Sequence, residues 1–457
     1  MLIDKILLDK LMNQAKENIR LRQAYNHGRG VEYLYDESSK QTDAIYFEPK
    51  SGIGWNRWRA VFVILECKDE VYMPFAERYL GLMFFVDKYN KLMRILVLSN
   101  SFVGLHSFRK EVFQEFRNQG WEVIISSPVG KDEKKAEWFR NIGCEIIDTQ
   151  FNRQGMNPLT DFKLMLTYRK IMKQVKADLI LSYTIKPNLY GGLAAKFCKV
   201  PQLANVTGLG TAVEYPGMLQ KFTIMLYKFC MNKTRLVFFQ NSANRQFCLN
   251  HKMVKGRSQL IPGSGVNLEY HTQKLYPSAE EPVRFLFISR IRVDKGIEEY
   301  LAAAETIRKE NSNTEFHIVG GCEGDYESRL KQMTEEGIVC YHGMQSDVRP
   351  FIEQASCIIH PSFYPEGMSN VLLEACSAGR PVITTDRSGC GEIVESGKTG
   401  FIVHQQDKQD VIEKVRMFLT KDYEERKQMG VAARKKVERE FDRQIVVKAY
   451  VDEIKSL

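Results

Sequence analysis

What the 457-residue chain lacks narrows its class before any motif is read. No apolar run approaches the ~18 residues that span a bilayer as a helix, so no membrane-crossing segment is expected. The opening MLIDKILLDK sets acids among its apolar residues, which argues against a secretory signal. The ten cysteines form no CxxC pair and no regular framework. That removes a zinc or disulfide scaffold and leaves reduced, mostly buried thiols in a cytoplasmic protein. His106, His317, His342 and His360 are dispersed without ligand spacing, so no metal site is expected. VGGCEGD is glycine-rich, but no Walker lysine follows it, and a strand-to-helix turn is the reading. Nor does any nucleic-acid-reading module accompany the basic residues. With 44% hydrophobic and 26% charged residues, the chain folds rather than staying disordered, and its length allows two or three domains.

The net charge of +9 is unevenly spread. Lys and Arg exceed Asp and Glu by one over residues 1–92 and by fourteen (25 against 11) over 93–265, and fall six short over 266–457. A basic middle third attracts phosphates or an anionic membrane face. Within it, PGMLQKFTIMLYKFCMNKTR (216–235) adds apolar bulk around Lys221, Lys228, Lys233 and Arg235. It either lies in a membrane interface as an amphipathic segment or packs in a domain with its lysines snorkelling outward.

From Met93 the pattern alternates. MRILVLSN reads as a buried strand, HSFRKEVFQEFRNQG as an amphipathic helix, and WEVIISSP as the next strand; DLILSY, PQLANVT and RLVFFQ continue the series. A second series opens at VRFLFIS and runs through EFHIVGG, IVCYHG, CIIHPS, RPVITT and GFIV. Strands alternating with helices imply parallel sheets covered on both faces. The expected fold is α/β, with two Rossmann-like doubly wound domains at 93–265 and 266–440 facing a cleft and joined near IPGSGVNLEY. A helix at 441–457 is expected to cross back to the first of them. Residues 1–92 form an extra α+β segment, with a helix over 2–25 and strand material over 58–75. Its helix weakly resembles the start of small cupin proteins, but the His-x-His of active cupins is missing and His27 stands alone. No function is carried over. Met93 is readable as an ancestral start, with a fused remnant before it.

The chemistry concentrates in PEGMSNVLLEACSAGRPVITTD, residues 365–386. In open parallel sheets ligands bind at the carboxyl ends of strands, beside helix N-termini. Glu366 precedes such a helix start, after the strand CIIHPS, and Glu374 lies about 7–8 Å further along the axis at ~1.5 Å per residue. Free N–H groups near Ser369 suit a phosphate, and carboxylates suit paired sugar hydroxyls. FISRIRVDKG supplies Arg290 and Lys295 from the loop after the first strand of the second series, two cations able to neutralise a diphosphate without a metal.

These stretches, with FHIVGGCEGDYESRL, VCYHG and GCGEIVESGKTGFIV in the same order, closely resemble glycosyltransferase family 4, retaining enzymes of the GT-B fold. The likeness covers about residues 93–440. SYTIKPNLYGGLAA and NVTGLGTA are similar to the members that extend lipid-linked capsule and O-antigen glycans. The resemblance implies that Arg290 and Lys295 hold a donor diphosphate, with Glu366 on the transferred sugar and Glu374 on the nucleotide ribose. It sets the backbone of Gly367, Met368, Ser369 and Asn370 toward the phosphates, the Cys340–His342 segment beside the base, and the Ser99–Gly104 loop near the diphosphate. Many members carry a histidine after the fourth strand of the first domain. Here SYTIKPN stands in that place, leaving Lys186, Thr184, Asn205 and Thr207 as first-domain or acceptor candidates, and Glu392 as a structural residue. The implied activity moves a hexose or N-acetylhexosamine from a nucleotide sugar, UDP-linked by the resemblance, to a polyprenyl-diphosphate-linked glycan at the inner face of the cell membrane, without a metal cofactor. A UDP-sugar 2-epimerase on the same fold and a non-catalytic nucleotide-sugar-binding scaffold are the alternatives.

Overall fold

The computed structural model describes residues 93–457 apart from 153, 154 and 156, together with the backbone of four short strands before them. The chain divides into two units, residues 1–91 and 92–457. In the first, β1 (Tyr35–Asp36) pairs antiparallel with β2 (Gln41–Thr42), and β3 (Tyr46–Pro49) with β4 (Trp58–Val61). The helix expected over residues 2–25, and most of the strand material at 58–75, lie outside the described residues.

The second unit is built on two wholly parallel sheets. The first holds β5 to β11: Arg94–Leu98, Glu122–Ser127, Glu145–Asp148, Leu179–Tyr183, Gln202–Val206, Leu236–Phe239 and Arg257–Leu260. Their order across the sheet is β11-β10-β9-β8-β5-β6-β7. The second holds β12 to β17: Val283–Ile288, Thr314–Val319, Cys340–Tyr341, Cys357–His360, Val382–Thr385 and Gly400–Val403, in the order β14-β13-β12-β15-β16-β17. Chain direction across each sheet reverses beside the first strand, between β5 and β8 and between β12 and β15. These switch points are where doubly wound sheets open a ligand crevice.

Covering the first sheet are α1 (Phe102–Asn118), α2 (Glu133–Asn141), α3 (Pro158–Gln174), α4 (Gly192–Cys198), α5 (Met218–Cys230) and α6 (Ser242–Asn250). The second carries α7 (Ile297–Glu310), α8 (Tyr326–Glu335), α9 (Arg349–Gln354), α10 (Asn370–Ser377) and α11 (Lys408–Thr420), followed by α12 (Tyr423–Glu440) and α13 (Arg443–Lys455). β5 shows why RILVL is apolar throughout. Ile95 and Val97 pack into one core with Phe113 and Phe116, Leu96 and Leu98 into another with Met165 and Tyr168, so both faces are covered. Helix starts are set locally: Ser101 caps α1, Asn157 caps α3 with Pro158 at its first position, and Asp422 and Glu425 form a capping box on α12.

The tail ties the two sheets together. α12 buries Ala433 and Val437 in the second domain's core, whereas α13 sends Val446, Tyr450 and Ile454 into the first domain's. Tyr450 is wholly buried, its ring centre 4.7 Å from that of Phe238, and its hydroxyl accepts from Asn205. Glu453 receives Arg235 and Arg257 at 2.9 Å each. Between the helices the Val266 amide donates to the Phe441 carbonyl at 2.9 Å, and the Arg443 amide to the Val266 carbonyl at 3.1 Å.

Candidate functional site

β12 ends at Ile288, and the chain turns through 289–296 into α7, with a short 3-10 turn over Val293–Lys295. Gly296 takes φ +81°, and a Cβ there would run into the Pro361 carbonyl. Only glycine lets this loop lie directly on the one leaving β15. The Phe363 amide donates to the Asp294 carbonyl at 3.1 Å across the contact. Lys295 is thereby buried, only 6% exposed. Its ammonium pairs with the Glu366 carboxylate and lies 4.3 Å from the centre of the Tyr364 ring. Arg290 does not join that pair. It reaches outward to Glu323, Nη1 to Oε1 2.9 Å, on the loop after β13. Arg292 links the two clusters: it is bonded to Asp294, lies 3.3 Å from Glu323, and sits 5.5 Å from the Tyr364 ring centre.

α10 opens beside this cluster. Ser369 occupies its N-cap in an extended conformation, yet makes no side-chain cap bond, so the first-turn N–H groups have no local acceptor from it. The Ser369 amide donates to the Gly389 carbonyl at 2.8 Å. Glu392 holds that turn, accepting from the Gly389 amide at 2.6 Å and from Ser388 at 2.7 Å.

The loop 365–368 also meets the first domain. Asn241, two residues past the end of β10, donates through Nδ2 to the Glu366 carbonyl (3.0 Å) and the Gly367 carbonyl (2.7 Å). A Cβ on Gly367 would collide with the Thr207 carbonyl and the Gln240 amide oxygen. Elsewhere across the same junction, Arg387 grips Glu214 with two bonds of 2.6 and 2.8 Å. Arg443 and Asn267 both hold Glu111, at 2.7 and 2.6 Å.

Glu374 stands one helical turn into α10, its Oε1 3.9 Å from Nε2 of His271. Burial pushes its carboxyl up to about 7, opposed by the charge of Arg443. Burial pushes His271 down to about 4, with Arg443 and Arg349 adding to it, so the neighbouring imidazole is neutral. Below pH ~4.5 the native and unfolded carboxyls are both protonated and Glu374 costs nothing. As pH rises through 7 the native state holds the extra proton, and stability falls. The full cost is about 1–3 kcal/mol, with 19% of the side chain still exposed. Glu374→Gln is therefore expected to melt above the wild type at pH 8 and with it at pH 4.5. Equal melting at both would contradict this.

His360, at the end of β15, is buried and neither ring nitrogen finds a hydrogen-bond partner among the described residues. Burial pushes it down to about 4, against the pull of Glu366, so a neutral ring backs the Lys295–Glu366 pair. His342 is half-buried. Its Nε2 lies 3.0 Å from Nδ1 of His317 with the rings stacked, and burial lowers both. Next to it Gly321, Cys322, Tyr341, Gly343 and Met344 line an open groove of about 630 Å³. It adjoins Glu323, and so the Arg290 cluster.

In the first domain the candidates separate. Gly104 lies in the first turn of α1, where a Cβ would meet nothing within 4 Å. Thr207 meets Gly367. Asn205 is buried, bonded to Tyr450 and, through Oδ1, to Gln240 at 3.3 Å, which makes it a structural tie. Lys186 turns inward onto Asp161 (2.8 Å), which also accepts from Tyr190. Thr184 holds φ +70°, an outlying conformation for a β-branched residue, with its hydroxyl buried and without a hydrogen-bond partner among the described residues. A π-helical turn over Pro187–Gly191 follows it. Among the described residues, His404, Asp407 and Asp410 place ligand atoms within 4.8 Å of one another. Asp407 caps the Asp410 amide and Asp410 bonds His404, so these groups already serve the start of α11.

Tyr364, Glu323, Arg292 and Asn241 were not singled out from sequence. Arg292 carried a signal, two residues beyond Arg290 in SRIRVDKG; the others depend on which loops meet.

Residues 94–241 match the family model described as glycosyl transferase 4-like, and residues 272–436 the one described as glycosyl transferases group 1. The N,N'-diacetylbacillosaminyl-diphospho-undecaprenol alpha-1,3-N-acetylgalactosaminyltransferase of Campylobacter jejuni is 28% identical over 344 residues, 72% of this chain and 89% of its own. The capsular polysaccharide biosynthesis glycosyltransferase CapM of Staphylococcus aureus is 24% identical over 347 residues, 72% and 88% of the two chains. In fold, the Anabaena protein HepE, solved in complex with UDP and glucose, matches with a TM-score of 0.65 at 18% identity, over 80% of this chain and all of that one.

Proposed function

Because the chain is a glycosyltransferase of the family 4 type, with a 4-like domain followed by a group 1 domain, we propose that it moves a hexose or N-acetylhexosamine from a UDP-sugar onto a polyprenyl-diphosphate-linked glycan, in bacterial surface polysaccharide synthesis at the inner face of the cell membrane. The Campylobacter relative is named for such an acceptor and the Anabaena neighbour holds UDP, which supports both halves of the reading.

The observation that carries it is the Lys295–Glu366–Tyr364 cluster beside the N-terminus of α10, with Arg290 and Arg292 on the loop that bears Lys295. Without donor, the cations are satisfied by Glu366, Asp294 and Glu323. A diphosphate at the mouth of α10 offers Lys295 and Arg290 a more highly charged partner and releases Glu366 for sugar hydroxyls. Ionised Glu374 takes the ribose hydroxyls, and the groove between Gly321 and Met344 accommodates the base. These two cations and a helix N-terminus stabilise the leaving diphosphate, so no metal is required of the donor site. Transfer is proposed to retain configuration at the front face: the sugar–phosphate bond breaks, the acceptor oxygen bonds the anomeric carbon, and the leaving phosphate takes the acceptor proton. The protein supplies orientation and charge.

A panel of UDP-sugars tests this. One of them is expected to be hydrolysed slowly, to raise the melting temperature, and to transfer with retained anomeric configuration in the presence of EDTA. Hydrolysis of none, 2-epimerisation without acceptor, or loss of turnover in EDTA would each contradict part of it.

A further inference from the structure

α3, α4 and α5 lie side by side on one face of the first sheet. α3 and α4 share a core through Met165, Tyr168 and Ala194, α4 and α5 another through Leu193, Ile224 and Tyr227. Their outer faces are apolar as well. Met218 is 89% exposed, Leu159 83%, Phe162 and Met225 58%, Phe197 56% and Phe229 55%. On α5 the inward positions are Thr223, Ile224, Tyr227 and Cys230, while Met218, Phe222, Met225 and Phe229 point out at helical spacing. The fold consumes one apolar face of this helix and leaves a second. Monomeric surfaces scatter such residues singly; a contiguous patch marks a contact.

Charge identifies the partner. Among them the three helices hold seven Lys or Arg and one acid. That acid, Asp161, is 3% exposed and spent on Lys186 and Tyr190. Lys163, Lys170, Lys173, Lys221 and Lys228 are exposed around the apolar residues, and the Lys196 ammonium lies 5.2 Å from the Phe229 ring centre, bridging α4 to α5. The geometry points to this three-helix face as the surface on which the protein docks to an anionic lipid bilayer. Its aromatic and methionine side chains enter the headgroup boundary, and its lysines meet lipid phosphates. A second copy docking through the same patch would set lysines against lysines without an exposed acid to answer them. The inference deepens the proposed function by naming the surface that faces the membrane, and rests on that reading only for the choice of leaflet.

The test is sedimentation of the full chain with phosphatidylcholine vesicles, with and without about 30% phosphatidylglycerol. Binding is expected only to the anionic vesicles and is expected to weaken with salt. The triple variant Phe222→Ser, Met225→Ser, Phe229→Ser, and separately Lys221→Glu with Lys228→Glu, should each partition at least ~10-fold less with melting unchanged. Wild-type binding by either variant, binding indifferent to lipid charge, or no binding by the wild type overturns the inference. So does a concentration-dependent dimer, abolished by the triple variant, in a chain that ignores vesicles. UDP-sugar hydrolysis without vesicles is read separately, so loss of the docking surface and loss of the proposed activity are told apart.

Discussion

Lys295→Ala is expected to lower turnover about 10³-fold, roughly 4 kcal/mol of transition-state stabilisation, with a donor KM within tenfold of wild type. The ammonium is buried, held against Glu366 and over Tyr364, and its position is fixed by the contact between Gly296 and Pro361. Such a charge needs no reorganisation when a diphosphate leaves, which is where preorganised cations contribute most. Substrate binding draws on Arg290, Glu374 and α10 as well, so KM moves less than kcat. Lys295→Arg should recover little, because a planar guanidinium does not fit a slot shaped around an ammonium. The variant leaves Glu366 unpaired but a fifth of that side chain is exposed, so water relieves it in part and the fold should persist. Near-normal turnover in a folded Lys295→Ala protein would remove the residue from the reaction.

Gly367→Ala is expected to cost about 10²-fold in turnover, roughly 3 kcal/mol. Nothing about alanine disturbs helix or strand there. The added methyl meets the Thr207 carbonyl and the Gln240 side chain, which belong to the opposite domain. Either the loop 365–368 shifts or the two domains separate, and both moves break the Asn241 bonds to the Glu366 and Gly367 carbonyls. Glu366 then leaves the position that the first domain sets, and small misplacements of reacting groups are expensive. UDP binding, measured calorimetrically, should survive, because it depends on the second domain. Loss of UDP binding together with turnover would place the effect in the second domain instead.

The fold was legible because its signals are local. RILVL and VRFLFI read as buried on both faces from their own residues, and the alternation with amphipathic helices fixes a parallel sheet. The acid pair of 366 and 374 was legible for the same reason: a strand, a turn and a helix start are written within twenty residues. Where the side chains spend their charge was not. Lys186 and Asp161 are 25 residues apart, Arg290 and Glu323 33, Lys295 and Glu366 71. Each meeting is decided by which loops the sheet brings together. From sequence Arg290 and Lys295 share one diphosphate; in the structure they rest on different carboxylates, with Arg292 between them. His342 marks the groove near the expected base position, but its ring is occupied by His317, a partner that only the adjacency of β13 and β14 supplies. For α5, Ile224 and Tyr227 pack inward as the domain reading has it, while Met218, Phe222, Met225 and Phe229 are left exposed.

A crystal structure with an intact UDP-sugar tests the central claim most directly. The diphosphate is expected at the N-terminus of α10 within hydrogen-bond reach of Lys295 and Arg290, with Glu366 released from Lys295 onto sugar hydroxyls and Glu374 on the ribose. A diphosphate bound elsewhere, or one bound with the Lys295–Glu366 pair undisturbed, would contradict it.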